Sequence, residues 1–265
     1  MKLYKIYLLI TINLSNYLAA QVVNIDREIK DDSITRKWEF VGAFDLSSNK
    51  QKNNILNFNT NIEIERNFNN HYVLIGIFKN ASVFSGNASI QNEGMYHLRF
   101  RDRNFRKLSF EPFLQYQWNG IWGMDYRYLS GANLRYKWFD KKGIDLYSGT
   151  GFFYEKEKWN WSGVKDELIP AKPEDIFREQ WRWNNYLKFA FKVSENFDLT
   201  ATTFLQFPLS SNFKQPRWYF EINNYFKISN HINFVFRWDH ILDKNTVVPI
   251  ENFYYGFSTG IQVNY

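Results

Sequence analysis

Four histidines, His71, His97, His231 and His240, are the side chains of this sequence best suited to moving protons near neutral pH. A lipid-splitting dyad would set one of them beside a serine and orient it with an amide or an acid. His240 is the candidate, because it shares parity with Phe234, Phe236 and Trp238 and so falls on an apolar strand face. No serine stands near it in a nucleophile context, and a histidine within an aromatic belt is the plainer assignment. No two histidines have metal-ligand spacing. The absence of cysteine excludes disulfides, thiolate metal sites, a catalytic thiol and a lipidated-cysteine anchor. No cofactor is implied, and the leading reading is non-enzymatic. A lipid-directed hydrolase at a membrane face is the alternative.

The elements that would carry these residues have a period of two. In the last fifteen residues, Phe253, Tyr255, Phe257, Thr259, Ile261, Val263 and Tyr265 share one face, while Asn252, Tyr254, Gly256, Ser258, Gly260, Gln262 and Asn264 share the other. A strand with lipid on one side and a polar lumen on the other needs this alternation. Aromatic residues make up 20% of the chain, yet the mean hydropathy is −0.49. After the amino terminus no stretch approaches the ~20 apolar residues of a membrane helix. The chain is therefore all-β, a single antiparallel transmembrane β-barrel of about 12 strands. They are expected near 37–47, 53–66, 71–83, 92–102, 106–119, 123–139, 143–159, 179–193, 197–208, 216–228, 231–242 and 252–265.

Loop lengths alternate as a barrel with periplasmic termini requires. Short, turn-rich connections at Asn67–Asn70, Asp102–Asn104, Asp140–Gly143, Ser194–Asn196 and Ser229–Asn230 read as periplasmic. Longer ones at Phe84–Gln91, Trp159–Glu179, Leu209–Gln215 and Asp243–Glu251 read as external, with Asn119–Gly123 the exception, short where an external loop is expected. Trp159, Trp161, Trp181 and Trp183 bracket the longest, as an outer interfacial girdle would. Pro170 and Pro173 stiffen it enough to fold over the mouth. Residues 1–20 read as a signal peptide, with Lys2 and Lys5 before the apolar run and Leu18-Ala19-Ala20 at its exit. Residues 21–36 form a periplasmic lead-in and 37–265 the barrel. Phe257, Ile261, Val263 and Tyr265 supply the insertion signal, so the implied partners are outer-membrane lipid and the barrel-assembly machinery.

The net charge of +6 is spread over 33 basic and 27 acidic residues without a basic stripe, which argues against nucleic acid. Register suggests where inward charges meet. If Ser194-Glu195-Asn196 is a three-residue loop, Val193 opposes Phe197 and Lys192 opposes Asp198. If Ile228-Ser229-Asn230 is another, Lys227 opposes His231 and Glu221 opposes Arg237. Around Gly143 two registers survive, one setting Arg127 against Glu155 and the other against Glu157. Unlike charges in such pairs are favourable. They imply a narrow or occluded polar lumen, suited to envelope integrity or slow passage of small solutes.

The central hairpins carry Phe110-Glu111-Pro112-Phe113-Leu114-Gln115-Tyr116, then Arg127-Tyr128-Leu129-Ser130-Gly131-Ala132-Asn133-Leu134-Arg135, then Tyr147-Ser148-Gly149-Thr150-Gly151 running into Tyr154-Glu155. This succession resembles the salt-induced outer-membrane protein family, a group of barrels classed as a domain of unknown function. The resemblance implies the outer membrane and no assigned chemistry. On physical grounds Gly131, Gly149 and Gly151 fall on the inward face and relieve crowding there, and Pro112 marks an irregularity such as a bulge.

Overall fold

The computed structural model describes residues 37–264 apart from 51–53, 69–70, 87, 103–106, 142 and 212. The signal peptide, the lead-in and Tyr265 lie outside the described residues. Twelve antiparallel strands follow one another: β1 (Trp38–Lys50), β2 (Asn54–Asn67), β3 (Tyr72–Ser85), β4 (Ala88–Asp102), β5 (Leu108–Asn119) and β6 (Met124–Lys141), then β7 (Ile144–Trp159), β8 (Ile176–Ser194), β9 (Phe197–Pro208), β10 (Arg217–Lys227), β11 (Ile232–Asp243) and β12 (Phe253–Asn264). Each pairs with its sequence neighbours, and β1 returns to β12 to close the barrel. No helix among the described residues is long and apolar enough to cross a membrane.

Alternation decides which way each strand faces. In β10, Trp218 and Phe226 point out while Arg217, Tyr219, Glu221, Asn223 and Tyr225 are buried inside. In β8, Leu187 and Phe189 point out against buried Arg182, Asn184 and Lys188. Phe257, Ile261 and Val263 are likewise exposed on the outer wall. The outside is thus apolar and the inside polar, as hydrocarbon and a closed lumen demand. Two patches depart from this, one where the loops enter the lumen and one on a single stretch of wall. Val73, Ile75, Ile77 and Met95 form a buried apolar cluster on the inner faces of β3 and β4.

Three connections differ from their sequence expectation. The long outer loop at Phe84–Gln91 is a tight turn, because β4 begins at Ala88 and β3 runs to Ser85. Strand ends that project into water need no apolar alternation, so the pattern fades before the strand does. In the β8–β9 hairpin Lys192 does oppose Asp198, but Ser194 rather than Val193 opposes Phe197, with a register shift between Lys192 and Ser194. In β10–β11 the turn is wider than three residues. The amides of Ile228 and Ser229 both donate to the carbonyl of Ile232, at 2.9 and 3.0 Å. Lys227 therefore opposes Asn233 instead of His231, and Glu221 opposes Asp239 instead of Arg237. The slip is two residues, so every side chain keeps its face.

Gly143 closes the β6–β7 turn with φ +83°, a conformation that costs glycine little. The turn pairs Lys141 with Ile144, and a register shift between Lys137 and Phe139 then sets Arg127 opposite Glu157, one of the two open registers. Pro112 interrupts pairing instead of bulging it. The β4–β5 ladder lapses between Arg99–Phe113 and Asp102–Phe110 with register unchanged, as expected where a ladder donor is missing. The seam between β1 and β12 is short. It holds Val41–Asn264 and Gly42–Val263 among the described residues, whereas β1 pairs with β2 from Trp38–Arg66 to Lys50–Asn54.

Candidate functional site

A twelve-stranded barrel falls between barrels whose side chains fill the interior and those that leave an aqueous channel. What fills this one decides what it can pass. The external end is filled first by loops. Trp122 of the β5–β6 turn, Val164 of the β7–β8 loop and Val248 of the β11–β12 loop pack with Met124, Trp159, Tyr186, Phe204, Tyr219 and Ile241 in one buried apolar cluster. Ile169 and Trp161 press on it from the long loop, which lies across the mouth. The amide of Asn160 donates to the carbonyl of Gly123 at 2.7 Å, tying that loop to the β5–β6 turn.

Two of the four expected girdle tryptophans belong to this cap. Trp159 shares parity with inward Glu155 and Glu157 and is 1% exposed. Trp161 donates its ring N–H to the carbonyl of Glu174 at 2.8 Å. Trp181, by contrast, is exposed on the outer wall.

Charged side chains of the same upper lumen converge with the cap. Glu155 and Glu157 stand two residues apart on β7, both inward and fully buried. The Nε of Arg127 donates to Glu157 and lies 3.3 Å from Glu155 Oε1. Arg178 Nε donates to Glu157 Oε2 at 2.8 Å, and its Nη1 reaches the carbonyl of Asn245 in the β11–β12 loop at 2.6 Å. Arg182 Nε donates to Glu155 Oε2 at 2.5 Å. Arg217 Nη2 reaches Glu155 Oε1 at 3.2 Å while its Nε donates to Asp243 Oδ2 at 2.7 Å. Four guanidinium groups and three carboxylates from β6, β7, β8, β10 and β11 thus form one buried network. Ions removed from water at several kcal/mol each stay only if paired this closely.

A second network is centred on Glu111 of β5. Arg101 Nε lies 2.5 Å from its Oε1 and Arg99 Nη1 3.3 Å from its Oε2. The hydroxyl of Tyr186 on β8 donates to Oε2 at 3.1 Å. The ring gets there by lying flat on Gly149 of β7, where an added Cβ would sit 2.0 Å from Tyr186 Cε1. The inward glycine is therefore a seat for a tyrosine.

A third group joins β10 and β11. Arg237 opposes Asn223, and its Nε donates to Asn223 Oδ1 at 2.7 Å. Glu221 lies diagonally, 3.8 Å from that nitrogen. Lys79 of β3 shares the field of Glu221, Asp239 and Arg237 from the far wall.

The residues read from sequence are distributed as follows. Arg127, Glu155 and Glu157 meet in the upper network, and Glu221 and Arg237 meet diagonally. Lys192 and Asp198 oppose each other near the rim that carries the short turns, where Lys192 is exposed. Residues not singled out as partners include Arg182, Arg217, Asp243 and Glu111. Parity marks each as inward, but register identifies only adjacent partners, and these groups meet across intervening strands.

The histidines are dispersed. His71 and His231 are exposed at the short-turn end of the barrel. His97 Nδ1 lies 2.9 Å from Gln115 Oε1 inside the lumen. His240 packs against Trp218, Phe220, Trp238 and Phe253, with ring centroids 4.7 to 6.0 Å away. Those contacts are aromatic, which suits a belt and offers an imidazole no nucleophile to activate.

By sequence the chain matches no protein-family model and no curated protein. The likeness of its hairpins to the salt-induced family therefore rests on the quoted motifs alone. Solved structures do share its architecture. The NanC porin aligns at 11% identity and a TM-score of 0.50, over 85% of this chain and 98% of its own. The translocator domain of the autotransporter NalP from Neisseria meningitidis aligns at 10% identity and a TM-score of 0.52, over 88% of this chain and 90% of its own. At such identities the likeness concerns the fold: this chain is a closed, twelve-stranded antiparallel barrel of the outer-membrane type.

Proposed function

We propose that this chain is a non-enzymatic barrel of a bacterial outer membrane whose lumen is shut at rest. It passes small polar solutes slowly, when the external loops lift, and otherwise keeps the envelope sealed. Export by residues 1–20 and delivery by the barrel-assembly machinery belong to this reading. So does membership of the salt-induced family that the hairpins resemble, since its barrels have no assigned chemistry.

One observation carries the proposal. Arg217 of β10 reaches Glu155 of β7 at 3.2 Å with two strands between them, and both side chains are fully buried. That ion pair bridges a quarter of the ring, and with the loop cluster packed across the same end of the lumen it leaves little room for a hydrated solute.

The test is a planar-bilayer recording of the purified full-length protein. Wild type should give small, infrequent current steps. The double variant R127A/R217A, with half the guanidinium groups of the upper network removed, should conduct more. Large steps from wild type would overturn the reading, and so would an unchanged variant that is verified as folded.

A further inference from the structure

The upper network has more hydrogen-bond donors than acceptors, and the surplus is local. Among the described residues of β5 to β8, every buried side-chain atom without a hydrogen-bond partner is a nitrogen. These are Gln117 Nε2 on β5, both terminal nitrogens of Arg127 on β6, Trp159 Nε1 on β7 and Arg182 Nη1 on β8. A further one, Arg178 Nη2, already lies 2.6 Å from Glu157 Oε2. Gln117, Arg127, Trp159 and Arg182 are each at most 1% exposed, so bulk solvent does not serve them.

The four side chains belong to one corner of the lumen. Gln117 opposes Arg127 in the β5–β6 ladder. Its Oε1 accepts from Gln115, which leaves its amide N–H groups over. Arg127 Cζ lies 5.7 Å from the centre of the Trp159 ring. Arg127 and Arg182 hold opposite oxygens of one carboxylate, with Nε at 3.3 Å from Glu155 Oε1 and 2.5 Å from Glu155 Oε2. In both guanidinium groups the Nε side is engaged by glutamate and a terminal nitrogen remains. Charge points the same way. Arg127, Arg178, Arg182 and Arg217 face Glu155, Glu157 and Asp243, four guanidinium groups against three carboxylates.

A buried donor without an acceptor is destabilising, and more so on a charged group. Water carries donors as well as acceptors and no charge. An oxyanion carries acceptors and cancels the surplus positive charge. We propose that this corner binds a small oxyanion of the carboxylate or phosphate type, held by Arg127, Arg182, Gln117 and Trp159. Arg127 offers two terminal nitrogens in one plane, the fork that such an ion accepts in bidentate fashion. Trp159 is also part of the loop cluster, so the ion sits beneath the cap and enters when the loops lift. Small oxyanions are then the solutes that slow passage selects. That last step rests on the function proposed above, whereas the binding site does not.

The test is equilibrium dialysis of the full-length protein in detergent against radiolabelled acetate and, separately, radiolabelled inorganic phosphate. Wild type should take up one ion per chain, saturably, from at least one of the two. W159F removes one N–H from the site and Q117L removes an amide. Each should weaken uptake about tenfold, because the lost bonds are to a charged group, while heat-modifiable mobility is kept. Uptake that never saturates would mean that water alone serves these donors and would overturn the proposal. Equal affinity in wild type and both folded variants would overturn it too. Where a variant does not fold, the wild-type stoichiometry decides. A bilayer recording in a gradient of the potassium salt of the bound ion then reads the second step. The wild-type reversal potential should lie toward that of the anion, and cation-selective steps would overturn oxyanion passage. A silent wild type would overturn slow passage itself, and dialysis would still decide the site.

Discussion

The Tyr186 hydroxyl donates to Glu111 Oε2 at 3.1 Å, although β6 and β7 stand between the strands that bear them. The contact requires that Gly149, on the intervening strand, have no side chain. Interior geometry is therefore set by triplets of residues on different strands. Pairs along a ladder are only its starting point. Removing any member of a triplet should have an effect out of proportion to the atoms changed.

Gly149→Ala is the direct test. The added methyl meets the Tyr186 ring, and overpacking of this kind costs about 1–3 kcal/mol. Tyr186→Phe leaves the ring seated but removes a hydrogen bond to a carboxylate, for about 1.5–3 kcal/mol. Urea midpoints followed by tryptophan fluorescence should show both losses, and the double variant should lose less than their sum.

Glu155→Gln tests the upper network. It leaves Arg182 without its carboxylate partner and Arg217 with Asp243 and the more distant Glu157, and breaking a buried ion pair costs about 3–5 kcal/mol. A midpoint shift no larger than that of an exposed site such as Lys192→Gln, which should stay within about 0.5 kcal/mol, would mean that water already fills this space.

Placing arginine on the outer wall should be costly, at roughly 2–4 kcal/mol for Phe189→Arg near the bilayer midplane. A polar lumen would be expected to accept the same change easily. Here it should not, because Asn223 is 2% exposed and already bonded to Arg237 at 2.7 Å. Asn223→Arg should therefore destabilise at least as much as Phe189→Arg. The comparison separates a packed interior from a wet one.

Deleting Val263 to Tyr265 removes both described partners of the seam, Val263 and Asn264, together with part of the stretch expected from sequence to direct insertion. The truncated protein should lose its heat-modifiable band and accumulate in the periplasm. Val263→Gln keeps the backbone pairing and changes only the outward side chain. It should fold in detergent yet reach the outer membrane in lower yield.

Strand number and facing are legible in the sequence because lipid on one side and packed polar groups on the other impose a period of two on β8, β10 and β12. Register is less so. Gly143 left two possibilities for Arg127, and a one-residue register shift between Lys137 and Phe139 chose Glu157. The Ile228 to Asn230 turn reads as three residues, but two amides converging on the Ile232 carbonyl widen it. The meeting of Arg217 with Glu155 cannot be read at all, since it depends on how far two side chains reach across a lumen whose width is a property of the closed ring. Trp159 illustrates the competing pull of composition. Its neighbours suggest a membrane girdle, and its parity alone assigns it to the interior.

The short seam between Val41–Asn264 and Gly42–Val263 has a kinetic consequence. Eleven of the twelve interstrand ladders join strands consecutive in sequence, so each can zip from its own turn as soon as that hairpin is made. The twelfth must bring together the two ends of the barrel, a ring closure whose entropic cost rises with the length of chain enclosed. Among the described residues few backbone bonds are there to offset it. The last event of assembly is thus the least driven, and a curled, unclosed sheet is the intermediate that this chain should populate, with β1 and β12 as the free edges that a folding factor would have to guard.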